Sequence, residues 1–584
     1  MCSGVSGSGQ LRAGSFIQPT FKQFVGQTGM PLTKARQDFI TGKIVQMCAQ
    51  DCRPMSIVEG AGFKEFCGAL NPQYKVPVKA TVKSHLQAKY DEKRAELVSQ
   101  IDKQDVAFTT DLWTSHGKQA YITVTYHYIN DDWMMRSGVL ATKHMPESHT
   151  GLHIAQRVNQ IREEFGIAKE NVAGITRDNA ANMDVAMAEL GFPDTSCFGH
   201  TLQLAINAAL DHPEIQACIS ACRNVVTHFN LSTKSTEELR KQTVGKPVAL
   251  QQDVATRWNS TYYMMKSLLP NRAGIYSVLH NKDFTKPEMA RKLEIKNEFW
   301  ALIEKLCEVL KPFEIATSQL SGELYPTLGS VYPLVHGILE NHLMVSADDP
   351  PEMVYFKNGV SDKIKKRFMI GNEHHCDDII ASALHPRYKK LKFLATIPKS
   401  HVQERLEVLC SQVPQDQIVQ DKTDDNNDDV SLPKKVKRES EAHSEAAMKY
   451  LLGDVYEISD EEDNDVETEV ARYMAEPQRR DDPLKWWKLN GHRFPRLQKL
   501  AKQFLCRPST SVPSERLFSA AGLTVTKTRA RLDPDTVDEL LFLHCYYKEK
   551  GSGYKQEVLQ TQMAPVATSS GAGEPSLPTL KMEM

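Results

Sequence analysis

Asp111 and Asp178 are the residues whose type and placement first suggest chemistry. Each closes a short run rich in β-branched and aromatic residues, Val106-Ala-Phe-Thr-Thr-Asp111 and Asn171-Val-Ala-Gly-Ile-Thr-Arg-Asp178, which is the composition of a strand. A carboxylate at a strand end can face a crevice while the sheet fixes its backbone, and carboxylate oxygens are hard donors suited to divalent cations. On periodicity alone, each acid reads instead as a capping or turn residue. Cys197-Phe-Gly-His200 opens a predicted helix and offers two zinc ligands where a structural site needs four. Cys218 and Cys222, four apart in a predicted helix, read as buried small apolar residues.

The elements that must position these groups follow from pattern. Helical spacing of Phe39, Ile44 and Met47 predicts a small helical region over residues 31–100. Strands are expected at 106–111, at Tyr121-Ile-Thr-Val-Thr-Tyr-His-Tyr128 and near 134–141, then a helix at 151–165, a strand ending at Asp178 and another helix. Three early strands followed by alternating helix and strand imply a mixed α/β sheet. Residues 201–399 read as mostly helical, and Glu298-Phe-Trp-Ala-Leu-Ile-Glu-Lys-Leu-Cys-Glu-Val-Leu310 has amphipathic periodicity that calls for packing and no chemistry.

The 584 residues allow several domains, and 41% hydrophobic with 25% charged residues is ordinary for a soluble globular chain. A formal net charge of −2 advertises no basic surface, although a local basic groove can sit opposite an acidic linker. Twelve cysteines at irregular spacing do not form a secreted disulfide framework. No apolar run of about 18 residues calls for a membrane span, and Met1-Cys-Ser-Gly-Val-Ser-Gly-Ser-Gly-Gln10 has no signal-peptide core.

Whole segments around the acids resemble the hAT superfamily of DNA transposases. Phe108-Thr-Thr-Asp-Leu-Trp-Thr-Ser115 is similar to the segment carrying that family's first acid, and Gly174-Ile-Thr-Arg-Asp-Asn-Ala-Ala-Asn-Met183 to the second. The most specific block runs through Asp482-Pro-Leu-Lys-Trp-Trp487, Phe494-Pro-Arg-Leu-Gln-Lys-Leu-Ala501 and Pro513-Ser-Glu-Arg-Leu-Phe-Ser-Ala-Ala-Gly522 to Arg529-Ala-Arg-Leu532. It is similar to the C-terminal dimerisation region of the family, whose Ser-Glu-Arg-x-Phe-Ser motif supplies the third acid, here Glu515. The resemblance spans about residues 35–548 and lies nearest to animal BED-finger proteins and their parent transposons.

That resemblance implies a ribonuclease-H-like α/β catalytic domain interrupted by a large, mainly α-helical insertion, with a C-terminal helical dimerisation region. Its expected parts are a disordered 1–30, a helical 31–100, a first core part at 101–210, the insertion at 211–413, an acidic disordered linker at 414–475, the dimerisation region at 482–548 completing the core, and a disordered tail at 549–584. Asp111, Asp178 and Glu515 would be catalytic and would hold Mg²⁺ or Mn²⁺, which neutralise charge on the attacking and leaving oxygens of a phosphodiester. Cys197 and His200 match an element beside the family's active site and are expected to position DNA. Thr256-Arg-Trp-Asn-Ser260 also matches: Trp258 would stack on an extruded base and Arg257 would contact a phosphate, while a core anchor is the other reading of Trp258. His385 in Leu384-His-Pro-Arg-Tyr-Lys389 stands where relatives usually have Asp, a local change in the insertion.

Self-association is expected through residues 482–548, with Leu484, Trp487, Leu497, Leu500 and Phe504 as apolar contacts; the competing reading buries these against the chain's own core. Lys434, Lys435, Lys437 and Arg438, preceded by Pro433, resemble a nuclear import signal or are plain solvated charge, so the nucleus is the expected compartment. No BED zinc finger is identified: Cys2, Cys48, Cys52 and Cys67 are followed by no His pair of finger spacing. Two functions stay open, a metal-dependent transposase that cleaves and transfers DNA strands and a domesticated, non-catalytic regulator of chromatin or transcription; a structural scaffold is a third. Expected partners are DNA and a second copy of the chain, and no membrane.

Overall fold

The computed structural model describes residues 32–115, 117–242, 248–370, 377–394, 398–413, 447, 450–451, 468–525 and 532–562, with side chains as far as 548. The expected disorder at 1–30, the tail beyond 562, the import signal and most of the acidic linker lie outside these residues, as do Arg529, Ala530 and Arg531. The tail expected to be disordered from 549 instead begins as helix, since the helix Pro534–Gln562 runs on through it.

A five-stranded sheet holds the centre. Its strands are Val106–Thr114 (β1), Ala120–Ile129 (β2), Met135–His144 (β3), Val172–Arg177 (β4) and Asp194–Ser196 (β5), in the order β3-β2-β1-β4-β5. β1, β2 and β3 are antiparallel neighbours, whereas β4 runs parallel to β1 and β5 parallel to β4. Two details differ from expectation. Asp111 does not close its strand, because β2 keeps pairing with β1 beyond it, as far as Thr114 opposite Ala120. β5 has only three residues, Asp-Thr-Ser, too few and too polar for any periodicity to mark.

Both faces of the sheet are covered, as the near-continuous burial of β1 and β2 requires. Alternation along β1 separates the two faces. Val106 and Phe108 pack with Ile122, Val124 and the N-terminal helices Lys34–Gln50 and Lys79–Ile101. Thr109, Asp111 and Trp113 point the other way, and there the helix Val512–Thr524 covers β1 and β2. The helix that starts at Pro534 closes over β3 and reaches the N-terminal helices, with Phe542 edge-on to Tyr90.

Between β5 and the returning C-terminal segment lies the helical body, whose long helix Asn297–Leu320 tolerates Pro312 in its interior and buries Trp300, Leu306, Leu310 and Phe313. The expected linker is in part structured. Thr468 caps the helix Glu469–Ala475, which buries Tyr473, and Leu451 is 0% exposed within the helical core. These large apolar residues interrupt the acidic run and pull their segments onto the core. His385 is buried and held neutral, well below its ordinary pKa, by burial and the nearby Arg387. Its Nδ1 accepts from Arg387 N–H at 3.2 Å, the turn-capping role that an Asp side chain also plays. Cys218 and Cys222 are buried, as expected. None of the described helices is long and apolar enough to cross a membrane.

Candidate functional site

Three structural elements deliver the three acids. Asp111 lies on β1, 8% exposed, with Oδ1 accepting from Leu112 N–H at 2.8 Å. Asp178 follows the last residue of β4, and its Oδ1 accepts from Ala180 N–H at 3.1 Å. Glu515 sits in the first turn of the helix Val512–Thr524. Burial and then the charge of Glu515 push the Asp111 carboxyl up to about 7, with Asp178 adding to the effect and the Leu112 N–H and His200 opposing it. Asp111 therefore feels the charge of both other carboxylates, Glu515 more than Asp178. Among the described residues, no three His, Cys, Asp or Glu side chains stand together in an arrangement that could hold a metal ion.

Glu515 arrives from far down the chain, and a buried strap over residues 506–511 sets its position. Arg507 pairs with Asp377 of the helical body at 2.7 Å. The carbonyl of Pro508 accepts from Thr176 Oγ1 of β4 at 2.6 Å across 332 residues of sequence. Phe198 N–H donates to Ser509 O at 2.9 Å, and Ser509 N–H to Thr327 Oγ1 at 3.0 Å. Ser511 N–H then reaches Cys197 Sγ at 3.2 Å. Each bond satisfies a buried polar group that would otherwise cost about 1–3 kcal/mol, so the strap has one threading.

One step further, Ser514 Oγ meets Thr109 Oγ1 at 2.6 Å, a buried contact linking residues 405 apart in sequence. Thr109 also bonds Thr125, and Thr125 bonds Nε2 of buried His127 at 2.9 Å; burial holds that imidazole neutral, down to about 3. Ser514 precedes Glu515, and Thr109 shares the Asp111 face of β1, so this contact fixes the two acids relative to each other. Ser514→Val is expected to cost about 1–3 kcal/mol of stability, read as a shifted denaturant midpoint with an unchanged slope. An unchanged midpoint would show that the contact contributes nothing. Sequence reading missed Thr109 and Ser514; the available signal was polar residues on alternate positions of β1, opposite Thr123 and Thr125 on β2.

Cys197 and His200, paired in sequence, separate in role. Cys197 is fully buried and ties β4 to the strap, its N–H donating to Arg177 O at 2.7 Å. His200 Nε2 stands 3.8 Å from Glu515 Oε1. The neighbouring Cys197 side chain, and then the carboxylates of Glu515 and Asp111, push the imidazole up to about 9 against its burial. His200 thus places an imidazole, favoured in its charged form, beside Glu515.

Arg257 and Trp258 lie on another element, the start of the helix Trp258–Leu268. Arg257 is exposed. Trp258 is 2% exposed and packs edge-on to Phe313 at 6.3 Å, inside the helical core. In this conformation it presents no face to a base, and its geometry is that of a core anchor. Trp258→Ala is expected to cost about 3–5 kcal/mol, seen as a lowered thermal midpoint; a variant as stable as the parent would place the ring outside the core. Trp113, two residues after Asp111, stacks on Tyr121 at 4.7 Å and lies 5.9 Å from Phe518 of the Glu515 helix.

The five apolar residues expected at a dimer contact, Leu484, Trp487, Leu497, Leu500 and Phe504, are all buried within the chain itself.

Three stretches match known families: residues 109–192 the ZBED1 RNase-like domain, 195–309 the ZBED1 RNase-like helical domain and 469–546 the hAT family C-terminal dimerisation region. A Zea mays protein named as an AC transposase is 27% identical over 532 residues, covering 84% of this chain and 62% of its own length. The Homo sapiens zinc finger BED domain-containing protein 4 is 24% identical, covering 86% of this chain and 43% of its own. A Talaromyces stipitatus protein named as a transcriptional regulator is 24% identical, with 81% and 57% covered. The chain spans between 43% and 62% of the lengths of these relatives. The hAT C-terminal dimerisation region and the two ZBED1 RNase-like domains matched here, with relatives aligned over most of the chain and named as an AC transposase and a BED-finger protein, together support a hAT-type, transposase-derived protein.

Proposed function

We propose that the chain is a nuclear, DNA-binding, self-associating protein whose sheet and returning C-terminal helix make a ribonuclease-H-like centre for metal-dependent DNA strand cleavage and transfer. The observation that carries the reading is that the Glu515 helix returns onto β1, with Ser514 bonded to Thr109, so that burial and the charges of Glu515 and Asp178 push the Asp111 carboxyl up to about 7. Like charges crowded in a partly dry site are what a divalent cation relieves. The donor chemistry fits Mg²⁺ or Mn²⁺, since all three groups offer hard oxygens, and Asp111, Asp178 and Glu515 would hold the metal. When bound, it would neutralise charge on the oxygens that attack and leave phosphorus.

The chain's own residues do the rest. β1 carries Asp111, the adjacent parallel strand β4 delivers Asp178 just past its end, and the strap with the Ser514–Thr109 contact brings the Glu515 helix onto β1. His200, 3.8 Å from Glu515, supplies an imidazole that in its protonated form suits a phosphate oxygen. Incubation of the purified chain with Mn²⁺ and nicked or hairpin transposon-end DNA is expected to yield cleaved strands; no product from the wild type would overturn the catalytic reading.

A second reading, a non-catalytic regulator of chromatin or transcription, is favoured by the lack, among the described residues, of three acids arranged to hold a metal ion and by the regulator name borne by one relative. Both readings keep DNA and a second copy of the chain as partners. They divide on the cleavage assay alone.

A further inference from the structure

Two neighbours touch the first turn of the Glu515 helix: His200, beside Glu515 itself, and loop 321–327, which follows the long helix Asn297–Leu320 and reaches Arg516. This loop is anchored at both ends to the strap: Ser509 Oγ donates to Leu320 O at 3.2 Å, and Ser509 N–H donates to Thr327 Oγ1 at 3.0 Å. Between these anchors Glu323 pairs with Arg516, the residue next to Glu515. The tip beyond that pair is apolar and open: Leu324 is 61% exposed and Tyr325 41%. The Tyr325 ring lies over Gly322, where any Cβ would overlap it, and its hydroxyl donates to Gln319 O at 2.6 Å. A partly exposed aromatic is thus held in one orientation on the loop that reaches the residue after Glu515, while Trp258 is shut inside the core.

We propose that Tyr325 and Arg516 form a docking point for a nucleic-acid strand entering the acid cluster, with the Tyr325 ring stacking on an unpaired base and Arg516 passing from Glu323 to a strand phosphate. The proposal rests on the DNA-binding part of the function above. Its physical basis is threefold. A pre-oriented ring loses little freedom when a base stacks on it. A half-exposed guanidinium paired to a carboxylate can exchange that partner for a phosphate at small cost, because both offer the same fork of oxygens. Glu323 meanwhile screens Arg516, so that the empty site keeps its charges paired.

Binding of the full chain to two labelled probes, a blunt duplex and the same duplex with a single-stranded extension, measured in EDTA over a range of salt, tests this. Tyr325→Ala is expected to weaken the extended probe by about fivefold to a hundredfold, the worth of one stacked base, and to leave the blunt probe within about twofold. Tyr325→Phe keeps the ring and should bind as the wild type does. Arg516→Ala is expected to flatten the slope of log affinity against log salt by about one unit, and Glu323→Gln to tighten both probes. A Tyr325→Phe variant as weak as Tyr325→Ala, a loss shared equally by both probes, or an Arg516→Ala variant with the wild-type salt slope would overturn the proposal while DNA binding stands. A wild-type chain that binds neither probe overturns the DNA-binding reading itself, and this proposal with it.

Discussion

Asp111→Asn is expected to lower Mn²⁺-supported strand cleavage by more than about 100-fold, because groups that only support a metal ligand already cost about 10–100-fold when removed. The same substitution should make the metal-free chain no less stable at neutral pH, and in fact more stable. The asparagine side-chain oxygen can still accept from Leu112 N–H, so the local backbone contact survives. What disappears is a buried carboxylate facing two others. Burial and Glu515 raise Asp111 from 3.8 to about 7, so the folded chain prefers the protonated form. An acid with a raised folded pKa contributes stability that is fully present below its unfolded pKa and is lost as pH rises through the folded one. The metal-free wild type should therefore weaken between about pH 4 and pH 7, by at most about 4 kcal/mol from this group, and Asp111→Asn should not. Melting curves of both proteins in EDTA across that range, beside cleavage assays in Mn²⁺, check the two halves. An Asp111→Asn variant that cleaves at the wild-type rate would sink the metal-ligand assignment; parallel pH profiles would mean that Asp111 is solvated rather than crowded.

The sequence carried these acids only through their surroundings. Asp111 and Asp178 are each one polar residue near the end of a strand pattern, and that pattern also suits a cap. The mixed sheet was legible because its long strands are rich in β-branched and aromatic residues, while β5, with three polar residues, left no trace. The placement of Glu515 was out of reach of local pattern, since it depends on hydrogen bonds such as Thr176 to Pro508 and Thr109 to Ser514 that join residues hundreds of positions apart. Arg516 and Glu323 share that difficulty, as their pairing is decided by how the helical body returns to the sheet. Trp258 shows the converse. Its motif pointed to a base, but an indole at the start of an amphipathic helix has a large apolar area to bury, and burial is where the fold puts it.

A stability effect as large as that of Trp258 should come from Trp487, and it bears on how the chain pairs with a second copy. Trp487 is 0% exposed. It stacks on Tyr473 at 5.2 Å and on Trp133 beside the β2–β3 turn at 6.1 Å, stands edge-on to Trp486 at 5.0 Å, and donates its indole N–H to Leu384 O at 2.9 Å. One side chain thus joins the sheet, the helical body and the C-terminal region. Truncation to alanine removes all of these contacts and leaves a buried carbonyl unpaired, so Trp487→Ala is expected to cost about 3–5 kcal/mol. Were Trp487 an intermolecular contact, the variant would instead be a folded monomer with a near-normal melting point. Burial of Leu484, Leu497, Leu500 and Phe504 alongside it points the same way. The melting point of Trp487→Ala should therefore fall by the same amount at every protein concentration, because the lost contacts are intramolecular. A fall that shrinks as concentration rises would return Trp487 to the dimer interface. A constant fall leaves self-association to the exposed residues of the same region, such as Leu489 and Leu523, and makes the matched dimerisation region first of all the part that completes the chain's own core.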